Sequence, residues 1–180
     1  MEQEFRDKAR RIYRLNRTLW VATIVGMLFL NLFVLIFNHY GIVSEPSVEN
    51  IANFDNLIMG IILMLAILIL YIKRNYLTPK KIVERAKKKD LSIVPDDVRD
   101  LLQEFGNEGN LMAKALIIMR RYYLLIWSVA NLITILGFID YIVALRFQSF
   151  WIYSIVAVYS MVINFPKFDT IEALHYWLVD

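Results

Sequence analysis

The sequence predicts an all-α integral membrane protein with four transmembrane helices. Hydrophobic residues make up 58% of its 180 residues, and the mean hydropathy is +0.49, whereas soluble domains are roughly 45–50% apolar. Four apolar runs, each nearly free of charge, are long enough to be membrane spans. Because the chain has no cysteine, disulfide-stapled folds, thiol redox chemistry and thiolate metal sites are excluded.

The four predicted spans cover residues 18–38, 55–74, 121–146 and 149–165. The third contains Asp140, and the fourth stops at Pro166, which cannot continue the hydrogen bonding of a helix. The uninterrupted apolar stretches of spans two and four are only 16 residues long. They would cover about 24 Å of a hydrocarbon core of roughly 30 Å. These two helices must therefore stand nearly upright or recruit flanking polar residues.

The distribution of basic residues predicts the orientation. Residues 1–18 hold six of the 20 lysines and arginines, residues 73–121 hold twelve, and the 39–56 connection holds none. Cytoplasmic flanks collect lysine and arginine. We therefore expect a multi-pass protein of a prokaryotic cytoplasmic membrane, with both termini and residues 75–120 in the cytoplasm.

Two short segments flank the spans. Residues 1–17 form an amphipathic pattern that predicts a helix lying at the lipid headgroups, with a solvated extension as the alternative. One side of this helix would carry Phe5, Ala9, Ile12, Tyr13 and Asn16. The first span is longer than the apolar part of a signal peptide and lacks a cleavage pattern after it, so we expect a retained helix. Residues 166–180 predict an interfacial C-terminal helix.

The cytoplasmic loop, residues 75–120, divides into three predicted helical pieces. Thr78 caps the first, which begins at Pro79 and ends near Lys89. The second begins at Pro95 and is ended by Gly106. The third begins at Asn110 and continues without a helix breaker into span three, so the sequence predicts one helix of about 35 residues.

The first two pieces of this loop carry opposite charge, and two interpretations follow. In one, they form a helical hairpin on the cytoplasmic face with their charges opposed. In the other, the basic side chains bind anionic lipid headgroups or a docking partner, at about 1 kcal/mol per residue. These are Lys80, Lys81, Arg85, Lys87, Lys88 and Lys89. Nucleic acid is not an expected partner, because the net charge is only +3 and no groove-reading motif accompanies the lysines.

The two halves of the chain show a weak sequence similarity to each other. Arg10-Arg11 and Arg120-Arg121 precede spans one and three, while Pro79-Lys80 and Pro166-Lys167 follow spans two and four. This order favours an internal parallel repeat. The alternative is that basic and aromatic residues simply collect at every cytoplasmic boundary of a membrane protein.

Small or polar residues recur at every third position of span three and form a polar track. The track consists of Ser128, Asn131, Thr134, Gly137 and Asp140. Because three residues advance 300° around a helix, the track is a spiral, and Asp140 and Asn131 point to opposite sides. The sequence therefore predicts protein neighbours on more than one side of span three, which favours a partner chain.

Two interpretations of Asp140 remain open: a proton or cation site, or a structural acid hydrogen-bonded to a tyrosine or to His39. Asn31 in span one and Asn131 in span three predict interhelical hydrogen bonds. Ala22 and Gly26, four residues apart in span one, predict a notch for close helix packing.

No catalytic, nucleotide-binding or metal-ligand motif occurs in the sequence. The two histidines, His39 and His175, lie at opposite predicted faces and cannot share one haem iron. The sequence therefore predicts a non-catalytic subunit or scaffold of a larger membrane assembly, with no cofactor and with membrane lipid and other membrane chains as partners. The alternative is a homo-oligomeric channel or transporter with Asp140 and the polar track lining its path.

Overall fold

The computed structural model describes residues 3–43, 45–46, 50–88 and 106–179. This part of the chain is helical, as predicted, and contains no strand. Its helices are α1 (Gln3–Tyr40), α2 (Ile51–Tyr76), α3 (Pro79–Lys88), α4 (Gly106–Ala144), α5 (Phe147–Ile163) and α6 (Phe168–Val179).

Three helices, α1, α2 and α4, are long and apolar enough to cross a membrane, and there are four if α5 and α6 count together as one broken span. Helix α5 alone has 17 residues and covers about 26 Å. By helix length and hydropathy the chain is therefore a multi-pass membrane protein. Of the four predicted spans, the first three are confirmed as helices of sufficient length, and the fourth is a shorter helix.

Helix α4 confirms the predicted long third helix, since it runs for 39 residues without a break. The predicted start at Asn110 is wrong, because the helix begins at Gly106, the residue that was predicted to end the preceding piece. It ends at Ala144, two residues before the predicted boundary, because Leu145 adopts a left-handed conformation with φ of 57°. The amide of Phe147 then donates to the carbonyl of Leu145 at 3.0 Å, and α5 begins. Helix α5 ends at Ile163, before the predicted stop at Pro166.

The predicted separate helix at the N-terminus is wrong, because residues 3–17 form the first part of the uninterrupted helix α1. No glycine or proline precedes Gly26, so nothing in the sequence breaks the helix. Its predicted apolar face is covered by protein: Ile12 and Asn16 are buried, and the Tyr13 ring meets the Phe168 ring edge-on at 5.7 Å. The side chains of Phe5 and Ala9 lie outside the described part of the structure.

The chain forms two compact units. The first comprises Met1–Leu19, Tyr71–Leu125 and Phe165–Asp180. Its centre is the beginning of α4, where seven of the eight residues from Met112 to Met119 are buried. Helix α3 packs against α6, and both contribute fully buried side chains, including Ile82 and Leu174. A C-terminal helix is thus present from Phe168 to Val179, within the predicted range 166–180, and it is a packing partner of α3, whereas its predicted interfacial position stays a prediction.

The second unit comprises Trp20–Leu70 and Ile126–Asn164. Two indoles fix the end of α5, because Trp20 donates to the carbonyl of Met161 at 3.0 Å and Trp127 donates to the carbonyl of Asn164 at 3.2 Å. Carbonyls at a helix C-terminus have no intrahelical donor. The two tryptophans therefore supply donors to carbonyls at the end of α5.

Helices α4 and α5 approach each other closely at Gly137. A Cβ atom added there would lie 3.2 Å from the Cβ of Tyr153 and 3.5 Å from a ring carbon of Phe150. The predicted notch in span one shows no such contact. A Cβ atom added at Gly26 would have no described atom within 4 Å, and both Gly26 and Ala22 are exposed. The notch prediction is therefore wrong within this chain, and the close contact belongs to the polar track instead.

We expect Gly137→Ala to lower the melting temperature of the detergent-solubilised protein, because the added methyl group pushes the Cβ and ring of Tyr153 away by a few tenths of an ångström, and that Cβ is fixed to the backbone of α5. Overpacking of this kind costs about 1–3 kcal/mol. Gly26→Ala is the matched control, since it makes the same change in helix propensity where space is open. Thermal unfolding followed by circular dichroism measures both variants. Equal melting temperatures for the two variants would contradict the close contact.

Candidate functional site

The residues of the polar track differ in burial, so they do not form one continuous polar surface. Thr134 is buried, and its hydroxyl donates to the carbonyl of Ala130 at 3.5 Å. Asp140 is also fully buried, whereas Asn131 is half-buried and Ser128 is exposed. A single chain therefore shelters Asp140, and the predicted need for a partner chain rests on Asn131 alone. Only Ser128 and Asn131 still reach the surface of α4.

Asp140 lies among charged and hydroxyl groups of the second unit. Asp55 and Arg146 are its electrostatic neighbours. Asp55 accepts a hydrogen bond from the hydroxyl of Tyr153 at 3.4 Å and lies 4.0 Å from the Arg146 guanidinium. Sequence reasoning missed this role of Asp55, although an acid at the start of span two was a visible signal. We call Asp140, Asp55, Arg146 and Tyr153 the acid cluster.

Neither carboxylate oxygen of Asp140 meets the geometric criteria for a hydrogen bond from a described residue, and the one group close enough to share a proton with it is the carboxyl of Asp55. The predicted hydrogen bond to His39 is wrong, because His39 is exposed and its ring packs edge-on against Tyr40 at 5.0 Å. The predicted alternative, a bond from a tyrosine, is also absent among the described residues, since Tyr153 donates to Asp55 instead. An ionisable side chain without a donor inside a membrane protein is a functional candidate.

An apolar groove of about 620 Å³ lies between α1 and α5 in the second unit. Two polar side chains line it, Asn31 from α1 and Ser154 from α5, and they are only 8% and 2% exposed. The Asn31 amide nitrogen donates to the carbonyl of Met27 at 2.8 Å, within its own helix. The Asn31 carbonyl oxygen and the Ser154 hydroxyl oxygen have no hydrogen-bond partner among the described residues.

The remaining lining of this groove is hydrophobic and aromatic. It consists of Leu28, Leu32, Leu35, Trp151, Ile155, Val158, Tyr159 and Val162. The predicted interhelical hydrogen bond of Asn31 is thus absent among the described residues, because its amide nitrogen donates within its own helix and its buried carbonyl oxygen has no partner there. We call this feature the α1–α5 groove.

Arg85 lies in the first unit against two tyrosine rings that contact each other. Its guanidinium carbon is 4.0 Å from the centre of the Tyr76 ring, and its Nη1 donates to the Tyr122 hydroxyl at 3.1 Å. The two rings are themselves 4.9 Å apart between centroids. Such cation–π contacts and hydrogen bonds fix a side chain that is otherwise flexible. Sequence reasoning identified Arg85 but missed both tyrosines.

Helix α3 confirms the predicted start at Pro79, and it ends at Lys88. The predicted cap is wrong: the Thr78 hydroxyl donates back to the Arg74 carbonyl at 3.1 Å. Lys80, Lys81, Lys87 and Lys88 are exposed, while Ile82, Val83 and Ala86 face the interior of the unit. Lys89 and the acidic second piece lie outside the described residues, and with them the predicted hairpin.

Within the described ranges, no three side chains among histidine, aspartate and glutamate are grouped so that they could hold a metal ion. The two histidines belong to different units, with His39 exposed in α1 and His175 half-buried in α6. Comparisons with protein-family models, with curated proteins and with solved structures find no match to this chain.

We expect Asp140→Asn to leave the melting temperature in detergent unchanged or to raise it. The amide removes an ionisable group from a position without a donor, which favours the folded state by about 1 kcal/mol or more. Asp169→Asn, the same change at an exposed position of α6, should lower the melting temperature slightly, because a negative charge in the first turn of a helix is favourable by about 0.3–1 kcal/mol. A larger fall of the melting temperature for the Asp140 variant would mean that its carboxylate has a stabilising partner.

Proposed function

We propose that the protein is a non-catalytic subunit or scaffold of a larger membrane assembly and that its α1–α5 groove receives a transmembrane helix of another protein. The observation that carries this proposal is the pair of buried oxygens without donors, on Asn31 and Ser154, in an otherwise apolar groove. Polar side chains of this kind hold membrane helices together.

The depth of the two oxygens in the bilayer supports a protein partner. Asn31 is nine residues from the end of α1 at Tyr40, and Ser154 is seven residues from the start of α5 at Phe147. These separations place them about 14 Å and about 10 Å from the helix ends. At such depths lipid offers only acyl chains, which donate no hydrogen bonds. A helix carrying serine, threonine, asparagine or glutamine at the same level can donate to these oxygens once the Asn31 and Ser154 side chains, whose oxygens are buried, turn toward the groove.

A second copy of the chain fits the groove less well than a different protein does. Of the polar track on α4, the residues that reach the surface are Asn131 and Ser128, which are 13 and 16 residues from the end of α4 at Ala144. They would lie about 20 Å and about 24 Å from that end. These depths are not level with Asn31 or Ser154 in a copy of the same orientation.

The charge distribution supports the topology that we propose. Six of the 20 basic residues fall in Met1–Leu19, twelve in Tyr71–Leu125 and one in Phe165–Asp180, so that 19 belong to the first unit. Arg146 is the exception. By the positive-inside rule the first unit, with both termini, faces the cytoplasm of a prokaryotic cell.

A second candidate function, ion or proton transport, is favoured by the acid cluster. Asp140 is buried without a donor, and Asp55 is its neighbour. The polar track as predicted does not support one continuous path, because Ser128 is exposed whereas Thr134 and Asp140 are buried. A transport path would therefore involve Asp140 and Asp55 and would leave out the start of the track.

Photocrosslinking in cells tests the proposed partner helix. A photoreactive amino acid at Ile155, in the groove, should give one discrete protein adduct that mass spectrometry identifies. The same amino acid at Leu63 of α2 is the control, since Leu63 is 62% exposed and Ile155 is 64% exposed, but only Ile155 lines the groove. We expect lipid adducts alone at Leu63.

Two further variants make this experiment decisive. Leu32→Trp fills the groove and should abolish the adduct at Ile155, whereas Leu63→Trp should leave it intact. Asn31→Leu should weaken the association about threefold if the lost hydrogen bond has the average strength of interhelical pairs. An adduct that survives Leu32→Trp would contradict the proposal, and an adduct with the chain itself would identify a second copy as the occupant.

Reconstituted flux tests the second candidate. Liposomes containing the parent protein are given a pH or cation gradient, and the flux is compared with that of Asp140→Asn. If Asp140 is a proton or ion site, the variant inserts normally but loses charge-coupled flux, because an amide does not exchange a proton near neutral pH. Parent liposomes without flux would remove the transport proposal.

A further inference from the structure

The end of α2 and the helix α3 form an elbow in the first unit, and a polar cavity of about 360 Å³ lies in it. Its lining residues are Tyr71, Asn75, Tyr76, Lys81, Glu84, Arg85 and Lys88. Three of these side chains are basic and one is acidic, so the lining carries a net positive charge. We call this feature the elbow cavity.

Three basic residues face the elbow cavity because of their spacing on α3. Lys81 and Arg85 are four residues apart and Lys88 follows three residues later, which places all three on one side of the helix. Lys87, the immediate neighbour of Lys88, is exposed and does not line the cavity. Thus only some of the basic side chains of α3 line the cavity.

Arg85 is positioned before any ligand arrives. The Tyr76 ring lies against its guanidinium group, and the Tyr122 hydroxyl accepts one hydrogen bond from Nη1. A guanidinium group has five N–H donors, so donors remain for a ligand in the cavity. Holding the side chain in place lowers the entropy that binding would cost, and a planar guanidinium suits the oxygens of a phosphate.

The position of the elbow along the chain indicates where such a phosphate would come from. The apolar part of α2 ends at Ile72, directly before Lys73 and Arg74, so the cavity begins where a membrane span ends. Tyr71 is 54% exposed and Leu70 is 57% exposed on the surface of α2. Tyrosines are enriched at the level of lipid headgroups. An acyl chain could lie along α2 while its headgroup enters the cavity.

We propose that the elbow cavity binds a phosphate group that is presented by the headgroup of an anionic phospholipid. Arg85 and the two lysines contact the phosphate oxygens, and the Asn75 amide and Tyr71 hydroxyl are further donors at its rim. The carboxylate of Glu84 disfavours ligands that carry more than one negative charge. It favours a headgroup that carries, besides the phosphate, a hydroxyl or amine able to donate a hydrogen bond to it. The site holds a specific lipid beside α2, and it does not depend on the α1–α5 groove.

Native mass spectrometry of the full chain, titrated with phosphatidylglycerol or phosphatidylcholine, tests this site. The parent should bind one phosphatidylglycerol with a preference of roughly 30-fold over phosphatidylcholine, which corresponds to two net charges. Lys88→Gln should weaken phosphatidylglycerol binding about fivefold. Lys87→Gln removes the same charge from the adjacent position outside the cavity and should weaken binding less than about twofold. Both lysines are exposed, so neither change should disturb folding, and circular dichroism verifies this.

Three outcomes would overturn the proposal. Equal losses for Lys87→Gln and Lys88→Gln would show diffuse attraction to α3 without a site. Equal affinity for the two lipids would show that the cavity does not select anionic headgroups. Displacement of phosphatidylglycerol by millimolar inorganic phosphate, at constant ionic strength, would assign the cavity to a soluble anion. Retention of the lipid under the same conditions supports the lipid headgroup as the source of the phosphate.

Discussion

The interior of a bilayer supplies no hydrogen bonds, so every polar group of a membrane helix needs a donor or acceptor from protein. In the second unit this requirement is met where α5 ends, because Trp20 and Trp127 donate to carbonyls that the helix itself leaves unpaired. It is not met at Asn31 and Ser154, whose oxygens are buried beside an apolar groove. The functional proposal rests on this difference: the carbonyls at the end of α5 have donors within the chain, whereas the oxygens of Asn31 and Ser154 have none among the described residues.

Helix α4 belongs to both compact units, and the burial of its polar residues varies along its length. Its first turns are buried among other helices of the first unit, which explains why a stretch of mixed sequence around Lys114 continues directly into a membrane helix. Further along, the absence of a side chain at Gly137 allows Tyr153 of α5 to come within van der Waals distance. Asp140, three residues later in the same helix, is fully buried.

Local signals in the sequence predicted the helices well. The apolar runs located the spans, and the lack of a breaker after Asn110 predicted the continuous helix α4. Pro79 marked the start of α3, since proline is tolerated in a first helical turn. The same reasoning failed at Thr78 and at Ala22 and Gly26, because those predictions depended on which way a side chain faces. Arg85 illustrates the limit most clearly: its partner Tyr122 is 37 residues away, and only tertiary packing brings them together.

The claim that the α1–α5 groove holds another protein is tested most directly by the mass of the particle that gentle extraction releases from the membrane. We predict a complex of defined stoichiometry that contains this chain and at least one different membrane protein, and we predict that Leu32→Trp reduces it to the single chain with bound lipid. A parent protein that is already a lone chain with lipid, at the same mass as the Leu32→Trp variant, would contradict the account.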